Sequence, residues 1–225
     1  MPTQQSTQDV RARSARLPRS ARRAQLLLAA QEVFVENGYH AAAMDDIAER
    51  AGVSKPVLYQ HFPGKLELYL AILDLHNGEL VQSVRAAMQS HSDNKDRVAA
   101  AINAYYEFVD RDDAAFRLVF ESDLTNDRLV RDRVDLVERT VSVAIADIIT
   151  EDAGLARDQA ELLGVALTGM AQVSARAWLQ ADRRIPREQA AALIAQLAWR
   201  GIGAFPRTGR LDDEQPPGAE QEQPG

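Results

Sequence analysis

Met44-Asp45-Asp46-Ile47-Ala48-Glu49-Arg50-Ala51-Gly52-Val53-Ser54-Lys55-Pro56-Val57-Leu58-Tyr59-Gln60-His61-Phe62 is the stretch that decides the fold. Ile47 and Ala48 mark the inward face of a short helix that stops at Gly52, where a backbone without Cβ can turn. Ser54 is placed to cap a second short helix, and Pro56 sits in its first turn, where a missing N–H costs nothing. Val53, Leu58 and Phe62 supply inward apolar groups. Ala48 is small enough for the two helices to cross closely. The outward face of the second helix is left with Lys55, Pro56, Val57, Tyr59 and His61.

Working outward, Leu27, Ala30 and Phe34 recur at helical spacing and predict a helix over 20–37 that ends at Gly38. After the break at Pro63 and Gly64, Lys65 opens a long helix with the stripe Leu66, Tyr69, Leu73, Leu80, Val84 and Met88. Further helices are predicted over 95–110, 113–122, 127–150, 157–181 and 187–202, separated by clusters such as Ser92-Asp93-Asn94 and Asp152 to Gly154. The expectation is an all-α chain of about nine helices, without sustained strand alternation or an internal repeat. It divides into a flexible basic arm at 1–18, a three-helix unit at 19–65, a larger helical domain at 66–205 and a disordered tail at 206–225.

The 225 residues are 46% hydrophobic and only 6% aromatic, enough for a helix-rich core. No cysteine is present, which excludes a disulfide framework, a thiolate nucleophile and a Cys-based zinc site, and fits a reducing cytoplasm. No apolar run reaches the roughly 20 residues that span a bilayer, so no membrane partner is expected. The net charge of −7 is unevenly spread. Residues 1–65 hold 9 Lys and Arg against 6 Asp and Glu, and residues 66–225 hold 17 against 27. A basic end can meet a polyanion while the acidic body stays away from it.

Two short helices crossing at a glycine turn, with donors and apolar groups facing out from the second, suit a DNA major groove. Leu26, Leu27, Ala29, Ala30, Phe34, Gly38 and Tyr39, followed by the turn and by Leu58-Tyr59-x-His61-Phe62 through Lys65, resemble the TetR family of transcriptional regulators. The resemblance implies a helical homodimer on a palindromic operator, acting as a repressor released when a small molecule binds the larger domain. It also implies a base contact at Lys55, contacts of Pro56 and Val57 with thymine methyls or sugar edges, and phosphate contacts at Tyr59, His61 and Lys65. With Ser54 at the helix start, these form the candidate DNA-binding set. Many relatives carry Thr or Ser just before the first of the two short helices, where Ala42 and Ala43 stand here. Backbone amides at that helix start can still meet phosphate. Tyr59 has a second reading, packing on the small domain, and the arginines from Arg11 to Arg23 are open between minor-groove entry and a solvated tail.

In the larger domain Tyr105, Tyr106, Phe108, Phe116, Phe120, Met170 and Trp178 are candidates to line an apolar effector pocket. Those placed at the ligand are Tyr105, Phe108, Phe116, Phe120, Met170 and Trp178. Gly164, Ala166, Gly169, Ala171, Ser174, Ala175 and Ala177 let helices approach closely, either in a dimer seam with Leu193, Ile194 and Leu197 or inside one subunit. His40, His61, His76 and His91 never adopt close metal-ligand spacing, so no metal site is expected. No cofactor is implied. The chain has no Gly-rich phosphate loop and no nucleophile with a base nearby, which argues against an enzyme. The remaining alternative is a ligand-binding protein whose helix-turn-helix no longer binds DNA.

Overall fold

The computed structural model describes residues 17–111, 124 and 127–201. Its elements are α1 Arg19–Ala41, α2 Met44–Arg50, α3 Lys55–His61, α4 Lys65–Gln89, α5 Asn94–Arg111, α6 Arg128–Ala153, α7 Arg157–Gln180 and α8 Arg187–Arg200. All eight are helices and no strand occurs among the described residues, as the sequence pattern predicts. The ninth expected helix, over 113–122, lies outside the described residues, as do residues 1–16 of the expected arm and the expected tail at 206–225.

Gly38 interrupts α1 with φ 74° and ψ 162°, a backbone that L side chains rarely adopt. The bend brings Tyr39 back to stack on Phe34 at 5.7 Å and to meet the edge of Tyr69 at 5.2 Å. Helix α2 ends in a Schellman turn: Gly52, at φ 64°, donates to the Glu49 carbonyl, and Val53 donates to the Ala48 carbonyl. The reversal sends α3 across α2 over Ala48. Ser54 occupies the N-cap position of α3, but its hydroxyl makes no capping bond, so preset backbone geometry at Pro56 takes the place of the cap the sequence suggested.

Helix α4 is the spine, because its two halves belong to different cores. Leu68, Tyr69, Ile72 and Leu73 pack with Leu26, Phe34, Ile47, Leu58 and Phe62 in the N-terminal core. Leu80, Val84 and Met88 pack with residues of α5, α6, α7 and α8 in the second. Burying a Leu or Phe contributes about 1.5–3 kcal/mol, so both cores hold α4 rigidly. His76 lies buried on α4 between them, its Nε2 2.8 Å from Gln31 of α1 and its Nδ1 3.3 Å from Glu79.

Helix α6 is capped by Asp127, whose carboxylate accepts from the amides of Leu129 and Val130, and it ends at Gly154 with φ 63°. Helix α7 lies against α6 with its inward face made of Gly164, Thr168, Ala171, Ala175 and Trp178. Part of the small-residue stripe of α7 thus packs within the subunit. Gly164, Ala171 and Ala175 serve packing within the subunit, while Leu162, Val165 and Val173 on the opposite face are exposed.

Candidate nucleic-acid interface and apolar cavity

Helix α3 presents Lys55, Pro56 and Tyr59 to solvent, with Val57 and His61 partly covered. Leu58 is fully buried and anchors the helix on α1 and α4. Tyr59 is 49% exposed, so the packing alternative does not describe it. Lys55 reaches back to Asp45 at the start of α2, with Nζ 2.5 Å from the carboxylate. That hydrogen bond raises the Lys55 pKa. An ion pair in water is weak and exchangeable, so Asp45 holds the ammonium in an extended pose that a nucleic acid can take over.

Arg19 and Arg22, from the first turn of α1, line one groove with Val57, Gln60 and His61. Arg22 donates to the Gln25 side chain, and Gln25 donates in turn to the Ala51 carbonyl, both at 2.8 Å. Arg23 stacks its guanidinium 4.4 Å from the centre of the Phe62 ring. Three arginines that the sequence left open between minor-groove entry and a solvated tail are thus fixed beside α3, where they extend its cationic face. Their signal was the helical spacing from Arg19 to Arg23. Arg11, Arg13 and Arg16 lie outside the described residues.

In the second core a cavity of about 220 Å³ opens among α4, α5, α6, α7 and α8. Its walls are mostly aliphatic, with Val84, Met88, Ile102, Val141, Ile145 and Ile148 among them and Tyr105 and Trp199 as the aromatic members. Asn94 and Arg97 border it at the start of α5. Arg97, Met88 and Ile148 are shared with an adjoining polar groove that also holds Arg85, Gln89, Asp147 and Glu151. Among the described residues no group of three His, Asp or Glu side chains could hold a metal, and no helix is long and apolar enough to cross a membrane.

The family model described as bacterial regulatory proteins of the tetR family matches residues 26–72, from the middle of α1 into α4. The HTH-type transcriptional activator FasR of Mycolicibacterium smegmatis is 46% identical over 196 residues, 87% of this chain and 90% of that protein. The chain belongs to the TetR family. Among solved structures, a TetR-like transcriptional regulator from Rhodococcus sp. RHA1 superposes with a TM-score of 0.68 at 27% identity, covering 84% of this chain and 100% of that one. FadR from Bacillus subtilis in complex with stearoyl-CoA shares the fold at a TM-score of 0.68 and 21% identity, over 79% of this chain and 98% of that one. These relatives are transcriptional regulators rather than enzymes.

Two groups of site residues differ from their sequence-based roles. Lys65 was placed on DNA phosphate, but its ammonium donates to the carbonyls of Tyr39 (2.8 Å), His40 (3.2 Å) and Ala42 (2.9 Å). An ammonium has three N–H groups, so all are committed to closing the end of α1. Of the effector residues, Tyr105 lines the cavity and Phe108, Met170 and Trp178 are not among its described walls. Phe108 is buried in the core. Trp178 packs on Tyr106 with centroids 5.6 Å apart and donates Nε1–H to the Ile185 carbonyl. Met170 stands beside the inward face of α7 defined by Thr168 and Ala171. Phe116 and Phe120 lie outside the described residues. The walls missed from sequence, Val141, Ile145 and Ile148, are an i, i+4, i+7 stripe that reads as ordinary core until its partners are placed.

Burial, followed by the charges of Arg19, Arg23 and Arg22, lowers the pKa of His61 below the ordinary histidine value. In the free protein it is therefore neutral at pH 7 and binds fewer protons than in the unfolded chain, so its contribution to stability falls as pH drops through that window. A nearby phosphate reverses the field and favours the imidazolium. Operator affinity is expected to rise as pH falls from about 8 to 6, and His61→Gln to flatten that rise. Fluorescence anisotropy across the range checks it, and identical slopes would remove His61 from the interface.

Proposed function

We propose that the chain is an operator-binding transcriptional regulator whose larger domain, residues 66–205, houses a long acyl effector and the dimer contact, while residues 19–65 read DNA. The observation that carries the reading is an exposed, cationic α3 on a helix-turn-helix joined by one continuous helix to an aliphatic cavity. Lys55 reads base edges, Pro56 and Val57 meet methyls or sugars, and Tyr59, His61 and the start of the helix at Ser54 face phosphates. Arg19 and Arg22 join them in place of Lys65. The FasR relative is named an activator, which favours activation over the repression expected from sequence.

Replacing Lys55 by Ala should cost about 1–3 kcal/mol on the selected operator and relax preference at one position per half-site. Selection from a randomised DNA pool measures this, and unchanged specificity would move the reading residues elsewhere.

The outward face of α7 supports a homodimer. Leu162 and Val173 are 71% and 68% exposed, Gly169 lies on the same face, and nothing stands within 4 Å of a Cβ built there. On α8, Leu193 is exposed while Ile194 packs against the core. Because the subunit itself has room at that position, Gly169→Arg should fold and sediment as a monomer. A dimeric variant would place the seam on another surface.

The mostly aliphatic walls suit an acyl chain, Arg97 at the mouth can meet its polar head beside a groove of mixed charge, and stearoyl-CoA bound to the fold neighbour FadR supports the same class. To release DNA the ligand must prefer the conformer with displaced α3 helices, and a tenfold loss of operator affinity takes about 1.4 kcal/mol of that preference. Linkage requires the operator to weaken acyl binding by the same factor. Stearoyl-CoA titrated into the protein–operator complex tests this, and tight binding without release would overturn the switch.

A further inference from the structure

Tyr105 is only 3% exposed and lines the cavity, yet its phenol has no hydrogen-bond partner among the described residues. Burial, with Glu138 facing it, pushes the phenol pKa far above its ordinary value, so the group is a proton donor at any physiological pH. Thr168, 5% exposed, is the second hydroxyl on the cavity wall. It donates to the Gly164 carbonyl at 2.8 Å and stands 3.1 Å from the Ser142 hydroxyl, which itself reaches the Glu138 carbonyl at 2.8 Å. Two hydroxyl protons serve these three contacts. With both spent on the helix carbonyls, the Thr168 oxygen keeps a lone pair for another donor.

An unpartnered donor on α5 and an oxygen with spare acceptor capacity on α7, both lining one mostly aliphatic cavity, match a group that both accepts and donates, namely an alcohol. Tyr105 lies eight residues along α5 from Arg97 at the mouth, or about 12 Å. An extended chain advances about 1.2 Å per bond, so that depth corresponds to about ten bonds from the anionic end. Building on the acyl-effector reading, we propose that Tyr105 and Thr168 form a polar subsite that selects acyl chains hydroxylated near their middle. Tyr105 donates to the ligand oxygen and the ligand hydroxyl donates to Thr168. A purely aliphatic cavity would instead reject such a chain, because a hydroxyl leaves water there without a partner.

The test uses the full-length chain with stearic acid, 10-hydroxystearic acid and 12-hydroxystearic acid, each also as its coenzyme A thioester, titrated by calorimetry. One of the hydroxylated chains should bind about tenfold more tightly than stearate. Tyr105→Phe keeps the ring and its packing, and should abolish that preference while leaving stearate affinity equal or higher; Thr168→Val should reduce the preference. A wild-type protein that favours stearate, or a ratio unchanged in Tyr105→Phe, overturns the subsite while leaving the acyl effector standing. Binding of none of the chains overturns both.

Discussion

Gly164→Ala is expected to lower the thermal midpoint by about 4–8 °C. A Cβ at this position would fall 2.3 Å from the carbonyl oxygen of Ser142 and 3.2 Å from its carbon. Both are helix backbone, which cannot rotate aside as a side-chain end can. Helices α6 and α7 must separate, loosening the Ser142–Thr168 contact and the wall of the cavity between them. Overpacking of this severity costs about 3 kcal/mol, and the higher helix propensity of alanine returns about 1 kcal/mol. The net of about 2 kcal/mol gives the stated shift for a domain of this size. Gly78, inside α4 with nothing within 4 Å of a built Cβ, is the control: Gly78→Ala should raise the midpoint. Calorimetry on the two variants decides it, and a Gly164→Ala protein as stable as wild type would mean that α6 and α7 have slack.

Lys65→Met should destabilise the N-terminal core by about 1.5–3 kcal/mol and weaken operator binding without changing its salt dependence. The methionine keeps the length of the side chain but leaves three carbonyls at the end of α1 without their donor. It also removes a cation 4.5 Å from the centre of the Tyr39 ring. Tyr39 packs on Phe34 and Tyr69, so the loss propagates to the join between α1 and α4 that aims α3. A lysine neutralising phosphate behaves differently, since its removal lowers the slope of log affinity against log salt by about one. Binding measured at several salt concentrations separates the two roles, and a reduced slope would return Lys65 to the DNA.

Those two residues also show where sequence stops being informative. Gly164 was legible as one of a stripe of small residues, but the side that packs within the subunit depends on which face of α7 meets Ser142. Lys65 was legible as a cation at a helix start, and its resemblance-based role was phosphate. Only the bend at Gly38, which turns three carbonyls towards the start of α4 some 25 residues on, reveals what the ammonium holds. Arg19 and Arg22 enter the proposed interface for the same reason, because α1 lays its first turn beside α3.

What the sequence by itself determined is the local part: eight of the expected helices, the glycine turn between α2 and α3, and the outward face of α3. Helical periodicity, backbone freedom at Gly52 and the fixed φ of Pro56 act over a few residues, so they are written in consecutive letters. Tertiary structure decided the cavity walls, the partner of Lys65 and the division of α7 into inner and outer faces. Each depends on contacts between helices far apart in sequence. An Ile at Ile145 has the same periodicity whether it meets another side chain or an empty space, and only the arrangement of its neighbours distinguishes the two.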